Sequence, residues 1–269
     1  MGGVVSFVLF LFIGQIKNYI SYIKHRVNAH GIHSPFVFEF YNEVLHKSRS
    51  FKDDDIWALR KKLFANDRLI RIEDFGVGSR KNNSADRKIS ELAKVAGINR
   101  KYGKLLTKIV DFYKVENVIE LGTSLGLGTS YLASSKSIKK IITIEGSEEV
   151  ATVAKENFEY LQLKKIEQIV GVFDDNLEEA SNRLEKIDLI YIDGNHQYDA
   201  TKKYFDFFID RAHDETFIIF DDIYWSEGMT KAWNEIIQSE KISVSIDLFR
   251  MGIVCKRKTQ AKQHFVLKF

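Results

Sequence analysis

Proline and cysteine each occur once in the 269 residues, as Pro35 and Cys255. One cysteine excludes an intramolecular disulfide and a cysteine-built metal cluster, and it fits a reducing compartment, so a cytoplasmic location is expected. One proline excludes a proline-rich linker. Charge of a single sign is also lacking. The 40 Lys and Arg against 37 Asp and Glu leave a net +3, too little to imply a nucleic-acid partner. Long hydrophobic runs are missing too: residues 4–13 are nearly all apolar, but ten residues are about half of the ~20 that span a bilayer. No basic residue precedes that run and no small-residue cleavage site follows it, so a signal peptide is not expected. A helix buried against the domain or a partner is the expectation, ahead of peripheral membrane contact. Hydrophobic content of 45% and charged content of 29% describe an ordinary globular chain.

What is present is organised around residues 118–129, Val-Ile-Glu-Leu-Gly-Thr-Ser-Leu-Gly-Leu-Gly-Thr. A short apolar strand, a loop with glycines at 122, 126 and 128, and a helical pattern from 130 make a site for a nucleotide-like ligand. The spacing Gly-x3-Gly-x-Gly is neither a dinucleotide fingerprint nor a phosphate loop. From 116 onward apolar strands and helices alternate, with strands expected at 118–121, 140–144, 166–170, 189–193 and 217–221 and helices at about 129–135, 147–161, 176–185, 199–211 and 227–238. This pattern implies an α/β, Rossmann-like, doubly wound parallel sheet covered on both faces. Two consecutive strands, 243–249 and 253–256, imply an antiparallel ending around Arg250-Met-Gly252, and 264–269 can add edge structure. Residues 1–100 read as a mostly helical extension or cap, and 101–269 as the ligand-binding domain.

Within the extension, 30–35 is a turn signal ending at Pro35. His25, His30 and His33 cluster there, with capping or pocket contact expected ahead of metal binding. Asp53-Asp54-Asp55 reads as a charge complement to a helix dipole, and 74–80 as a mobile surface loop near the site.

Ligands of a parallel α/β sheet bind beyond the carboxyl ends of its strands. Those ends carry Glu145, seventeen residues past Gly128 and suited to ribose hydroxyls, then 171–175 to wall an adenine, then Asp193-Gly-Asn-His196, then Asp221-Asp222. Asp193, Asp221 and Asp222 left unpaired would repel one another, which a hard divalent cation such as Mg²⁺ would resolve. Tyr198, Tyr224 and Trp225 stand near these ends, as acceptor-pocket walls or as core.

Together these motifs resemble the class I S-adenosylmethionine-dependent methyltransferases, and most of all the metal-dependent catechol-type O-methyltransferases and their bacterial relatives, over about 101–256. The resemblance implies a seven-stranded sheet whose last strand is antiparallel. It implies that Glu120, Gly122 and the loop with Thr123, Ser124, Gly126, Gly128 and Thr129 hold the methionine part of the cofactor. Glu145 would bind the ribose, and Phe173 with Asp174 would flank the adenine. Asp193, Asp221 and Asp222 would fall on the metal-ligand positions, with Asp193 also at the cofactor and in catalysis. Asp222 departs from the usual Asn there. His196 falls where catechol-type enzymes place a lysine base; some bacterial sugar O-methyltransferases resemble this chain in using histidine there. The expected partner is a small-molecule hydroxyl acceptor, with no nucleic acid, possible homo-oligomer formation and membrane contact by 4–13 not expected. An NAD-linked oxidoreductase is disfavoured by the loop spacing and the lack of a Tyr-x3-Lys pair; a non-catalytic scaffold is the other alternative. Nucleic-acid methylation is disfavoured, since one proline cannot supply an Asn/Asp-Pro-Pro-Tyr motif.

Overall fold

The computed structural model describes residues 2–74 and 83–269, with side chains from 14 to 72 and from 86 onward. The elements in order are α1 (Gly2–His25), α2 (Pro35–Glu39), α3 (Asp54–Phe64), β1 (Leu69–Asp74), β2 (Asn83–Lys88), α4 (Ile89–Val95), α5 (Arg100–Tyr113), β3 (Asn117–Leu121), α6 (Leu127–Ala133), β4 (Lys140–Glu145), α7 (Glu148–Tyr160), β5 (Ile166–Val170), α8 (Phe173–Asn182), β6 (Leu189–Ile192), α9 (Tyr198–Arg211), β7 (Phe217–Phe220), α10 (Glu227–Gln238), β8 (Val244–Asp247), β9 (Gly252–Cys255) and β10 (Gln263–Val266). Among the described residues the main sheet has eight strands in the order β10-β8-β9-β7-β6-β3-β4-β5. β9 runs antiparallel to both β7 and β8. The eighth strand is the edge strand β10, parallel to β8. The order reverses direction from β3, the arrangement of doubly wound nucleotide-binding sheets.

The chain divides into two compact units, one of residues 42–189 and one of 1–41 with 190–269, so the extension is shared out between them. In the first unit, β3 pairs with β4 in the register Glu120 to Thr143 and Leu121 to Ile144, and β4 pairs with β5. The apolar residues of β3 and β4 are buried as expected of covered parallel strands, whereas the edge strand β5 leaves Val170 exposed. Asn99 caps α5, its side chain accepting from the Lys101 amide at 2.9 Å. Helices α5 and α6 approach closely because a Cβ on Gly103 would lie 2.3 Å from the Tyr131 ring.

β1 and β2 form a separate antiparallel hairpin, pairing Leu69 with Lys88. The strand at 83–88 is a feature that the polar sequence Asn-Ser-Ala-Asp-Arg-Lys hid. Residues 75–80 of the loop expected at 74–80 lie outside the described residues. Asp53 differs from expectation. Asp54 and Asp55 occupy the first turn of α3, but Asp53 is buried and makes no cap bond. Its carboxylate accepts from Arg100 at 2.8 and 2.7 Å and from the Tyr131 hydroxyl at 2.7 Å, with Lys104 Nζ 3.2 Å away. Burial alone would raise its pKa, but these donors outweigh burial and hold it well below the usual carboxylate range.

In the second unit, α10 buries the stripe Met229, Ala232, Trp233 and Ile236, and Ser226 caps it by accepting from the Met229 amide at 3.1 Å. Gly252 is held against that helix, since a Cβ there would stand 2.6 Å from the Trp233 ring. The described part of α1 is tied to the same unit. Tyr22 donates to the Leu267 carbonyl at 2.6 Å, Asn18 to Thr230 at 3.1 Å, and the Tyr19 and Phe249 rings meet edge to face at 4.9 Å. Ser34 caps α2 with Pro35 in its first turn. His30 and His33 are exposed, and His25 Nδ1 lies 2.8 Å from the Ser21 carbonyl of its own helix. No helix among the described residues is long and apolar enough to cross a membrane.

Candidate active site

The first half of the candidate residues lies on β3, β4 and the loop after β3, within the unit of residues 42–189. The loop folds through left-handed backbone at Gly122 (φ 100°), Ser124 (φ 47°) and Gly126 (φ 77°). Gly126 also packs on α7, where a Cβ would come within 2.5 Å of the Phe158 ring. Two glycines therefore serve geometry, and one of them serves packing as well.

Glu120 and Glu145 define this half. Glu120 is fully buried, and its Oε2 accepts from the Thr129 hydroxyl and from the Thr143 hydroxyl, the latter at 2.6 Å. Its Oε1 is buried with no hydrogen-bond partner among the described residues. Burial pushes its pKa up to about 7, and the Glu145 charge adds to that against the two hydroxyls. Glu145 accepts from the Ser124 amide at 2.8 Å and the Ser147 amide at 3.0 Å, and burial raises its pKa against those bonds. Glu145 thus shapes the glycine loop as well as standing at a strand end. The Gly122 and Thr123 amides are engaged by the Ile144 carbonyl at 3.0 and 3.2 Å, and Thr123 Oγ1 meets Thr143 Oγ1 at 2.6 Å. Gly128 and Thr129 are buried in α6. Phe173 and Asp174 open α8 three residues earlier than expected, so Asp174 and Asp175 complement its first turn.

The second half of the candidate residues lies in the other unit, at the ends of β6 and β7 and on the turn between β8 and β9. Asp193 and His196 follow β6, with His196 Nε2 3.7 Å from Asp193 Oδ1. Tyr191 donates its hydroxyl to Asp193 Oδ2 at 3.2 Å. The connection is tight: Asn195 takes φ 49° and donates to the Tyr204 hydroxyl at 3.2 Å. Burial lowers the His196 pKa and the nearby Arg250 charge lowers it further, against the pull of Asp222. The imidazole is therefore neutral at pH 7.

Asp221 is fully buried and its amide donates to the Ile192 carbonyl at 2.9 Å, which locks β7 to β6 at this end. Asp222 follows in left-handed backbone at φ 51°. Both face the guanidinium of Arg250, with Nη2 3.4 Å from Asp221 Oδ2 and Nε 3.1 Å from Asp222 Oδ1. Burial and the Asp222 charge raise the Asp221 pKa to about 6 in spite of Arg250. Among the described residues no group of three or more acidic, His or Cys side chains converges as a metal-binding set. Sequence reading took residues 250–252 only as a turn, and the signal that could have found Arg250 was a lone cation in a turn between paired strands.

The neighbouring aromatics are engaged elsewhere. Tyr198 donates to Glu235 at 2.7 Å, Tyr224 donates to the buried Asp247, and Trp225 is exposed, its carbonyl accepting from Gln15 at 3.1 Å.

Residues 119–223 match the family described as a methyltransferase domain. Among curated proteins, none matches the sequence. Solved structures share the fold at low identity. An O-methyltransferase from Bacillus cereus in complex with S-adenosylhomocysteine is 20% identical with a TM-score of 0.58, over 79% of this chain and 96% of that one. The S-adenosylhomocysteine-bound Podospora anserina methyltransferase PaMTH1 is 14% identical with a TM-score of 0.59, over 84% and 99%. The O-methyltransferase TomG from Streptomyces achromogenes, involved in tomaymycin synthesis and solved with S-adenosylmethionine, is 16% identical with a TM-score of 0.51, over 60% and 82%. The matched segment spans β3, its glycine loop and the ends of β6 and β7.

Proposed function

We propose that the chain methylates a hydroxyl group of a small molecule, with Glu120 and the glycine loop holding S-adenosylmethionine and His196 acting as general base. The observation that carries the base assignment is His196 itself: a partly buried imidazole beside Asp193, held neutral by burial and by Arg250. The residues of the first half fit the cofactor, because Glu120 Oε1 is a buried acceptor without a partner among the described residues. It matches the ammonium of the methionine part, a charged bond worth about 1.5–3 kcal/mol.

When bound, the cofactor supplies a methyl group on a sulfonium, a leaving group that needs no further activation. The protein's task is alignment and proton removal. As the acceptor oxygen forms its bond to the methyl carbon, the carbon–sulfur bond breaks and its electron pair stays on sulfur. The hydroxyl proton passes to His196, and Asp193 steadies the imidazolium that results. Phe173 and Asp174 are assigned to the adenine and Glu145 to the ribose. The divalent ion expected at Asp193, Asp221 and Asp222 does not fit this arrangement, since Arg250 already engages the latter two and Asp193 turns to Tyr191 and His196. No step is routed through a metal. Residues 101–269 are taken as the catalytic domain.

That the relatives include O-methyltransferases from Bacillus cereus and Streptomyces achromogenes supports oxygen as the acceptor atom. The test is transfer from methyl-labelled S-adenosylmethionine to a panel of phenols, catechols and sugars, with products assigned by mass spectrometry and NMR. O-methyl products that disappear in His196→Ala support the reading. N- or C-methyl products, or full turnover by His196→Ala, overturn it.

A further inference from the structure

The acidic end of β6 and β7 carries its own counter-charge. Arg250 stands on the turn between β8 and β9, and that turn is pinned on several sides. The Leu248 amide donates to the Met251 carbonyl at 2.9 Å, the Arg250 amide to the Leu248 carbonyl at 3.0 Å, and the Ile223 amide to the Arg250 carbonyl at 3.2 Å. Phe249 is held at φ 70° with its amide on Asp247 Oδ1 at 2.7 Å. The side chain so delivered reaches both carboxylates: Nη2 donates to Asp221 Oδ2 at 3.4 Å, and Nε stands 3.1 Å from Asp222 Oδ1 in an ion pair without a hydrogen bond.

We propose that Arg250 is a built-in cation that takes the place of a divalent metal against Asp221 and Asp222, so that the enzyme works without one. The metal-free turnover rests on the proposed methyltransferase activity, whereas the occupancy of the carboxylate pair by Arg250 does not. Three considerations support the assignment. A hard divalent cation asks for six or more oxygen ligands in a shell around one point. Here Asp221 Oδ2 and Asp222 Oδ1 are spent on the guanidinium, and Asp193 points its oxygens at Tyr191 and His196. The buried Asp221 Oδ1, without a partner among the described residues, is a single donor. Second, an incoming ion would sit beside a positive charge that cannot be shed, because a guanidinium stays protonated at every working pH. Third, a tethered cation that offsets one of the pair's two negative charges cannot be lost by diffusion, and it holds both carboxylates in one geometry. The consequence is that the acceptor hydroxyl is not acidified by coordination, and His196 alone removes its proton.

The test uses the full chain. Metal content is measured by elemental analysis, and thermal midpoints are recorded with EDTA and with Mg²⁺, Ca²⁺, Mn²⁺ and Zn²⁺. The wild type is expected to purify without stoichiometric metal and to melt at the same temperature under all conditions. Arg250→Met keeps a side chain of similar bulk but uncovers the two carboxylates. Its midpoint should rise by roughly 5 °C with an oxygen-preferring cation at about a hundredfold its Kd. Arg250→Lys, which keeps the charge, should stay insensitive. Should Arg250→Met not fold, the wild type and Arg250→Lys decide the matter. Stoichiometric metal in the wild type, or a wild-type midpoint that falls with EDTA and returns with a cation, overturns the proposal. Titration of the same samples with S-adenosylmethionine separates the two claims. Loss of cofactor binding would sink the activity and leave the cation dependence to be read on its own.

Discussion

The two acidic strand ends satisfy their carboxylates by different chemistry. At the ends of β3 and β4, the donors to Glu120 and Glu145 among the described residues are neutral, and include the hydroxyls of Thr129 and Thr143 and the amides of Ser124 and Ser147. At the ends of β6 and β7, Asp221 and Asp222 receive a full positive charge from Arg250. Neutral donors leave a carboxylate with capacity for a cationic ligand, and burial then holds its proton affinity high until that ligand arrives. A guanidinium takes up part of that capacity, leaving the buried Asp221 Oδ1 without a partner among the described residues. On the proposed reading the first half takes a charged group, the second is closed to a divalent ion, and proton removal there falls to a neutral base.

The comparison can be broken most severely at His196. His196→Ala should lower kcat by about 10²- to 10⁴-fold, the usual contribution of a general base. It should leave the S-adenosylmethionine dissociation constant unchanged, as read by steady-state kinetics beside calorimetry.

Next in size is Asp53, which lies in the same unit as Glu120 but is paired with the cations Arg100 and Lys104. Asp53→Asn leaves Arg100 and Lys104 without their carboxylate and should cost about 3 kcal/mol in chemical denaturation, at the low end for a broken buried pair because Arg100 is partly exposed. Its pH signature has a definite sign. The folded-state pKa of Asp53 is depressed, so its stabilisation is present above the unfolded value near 4 and is lost as pH falls below that.

Glu120 should show the opposite sign. Its pKa is raised to about 7, so without cofactor the folded state binds a proton that the unfolded state has released. Its contribution to stability is present at acid pH and is lost as pH rises through 7. Cofactor affinity runs the other way, because the ammonium needs the ionised carboxylate. The affinity should climb toward a plateau between about pH 6 and 8 and level off above the folded-state pKa. Glu120→Gln should weaken binding by roughly 10- to 100-fold and flatten that profile in calorimetry across pH.

The smallest effect belongs to the exposed pair of Arg68 and Glu156, joined at 3.0 and 2.8 Å. Glu156→Gln should cost less than about 1 kcal/mol and should vanish in high salt, as measured by denaturation at two ionic strengths. It marks the scale against which the buried carboxylates stand out.

The strands of the sheet were legible because each is a short apolar run bounded by turns, and β3 to β7 begin and end within about a residue of the pattern read from sequence. The glycine loop and the acidic strand ends were legible for the same local reason. What escaped was long-range or polar. The β1–β2 hairpin escaped because residues 83–88 carry no strand-forming side chains. Asp53 was read as part of a local helix signal, although its partners Arg100 and Tyr131 lie 47 and 78 residues away. Arg250 meets Asp221 across 29 residues, a pairing that only the antiparallel return of β9 beside β7 creates. Local periodicity carries no information on such pairings.

The central claim is a cradle made for a sulfonium cofactor with a cationic amino-acid end. Calorimetric titration of the full chain with S-adenosylmethionine and S-adenosylhomocysteine, with NADH as the control and repeated in EDTA, tests it most directly. The account predicts one binding event for each sulfur compound, undiminished by EDTA, weaker in Glu120→Gln, and none for NADH. Failure of both sulfur compounds to bind at pH 8, or binding of NADH in their place, would contradict it.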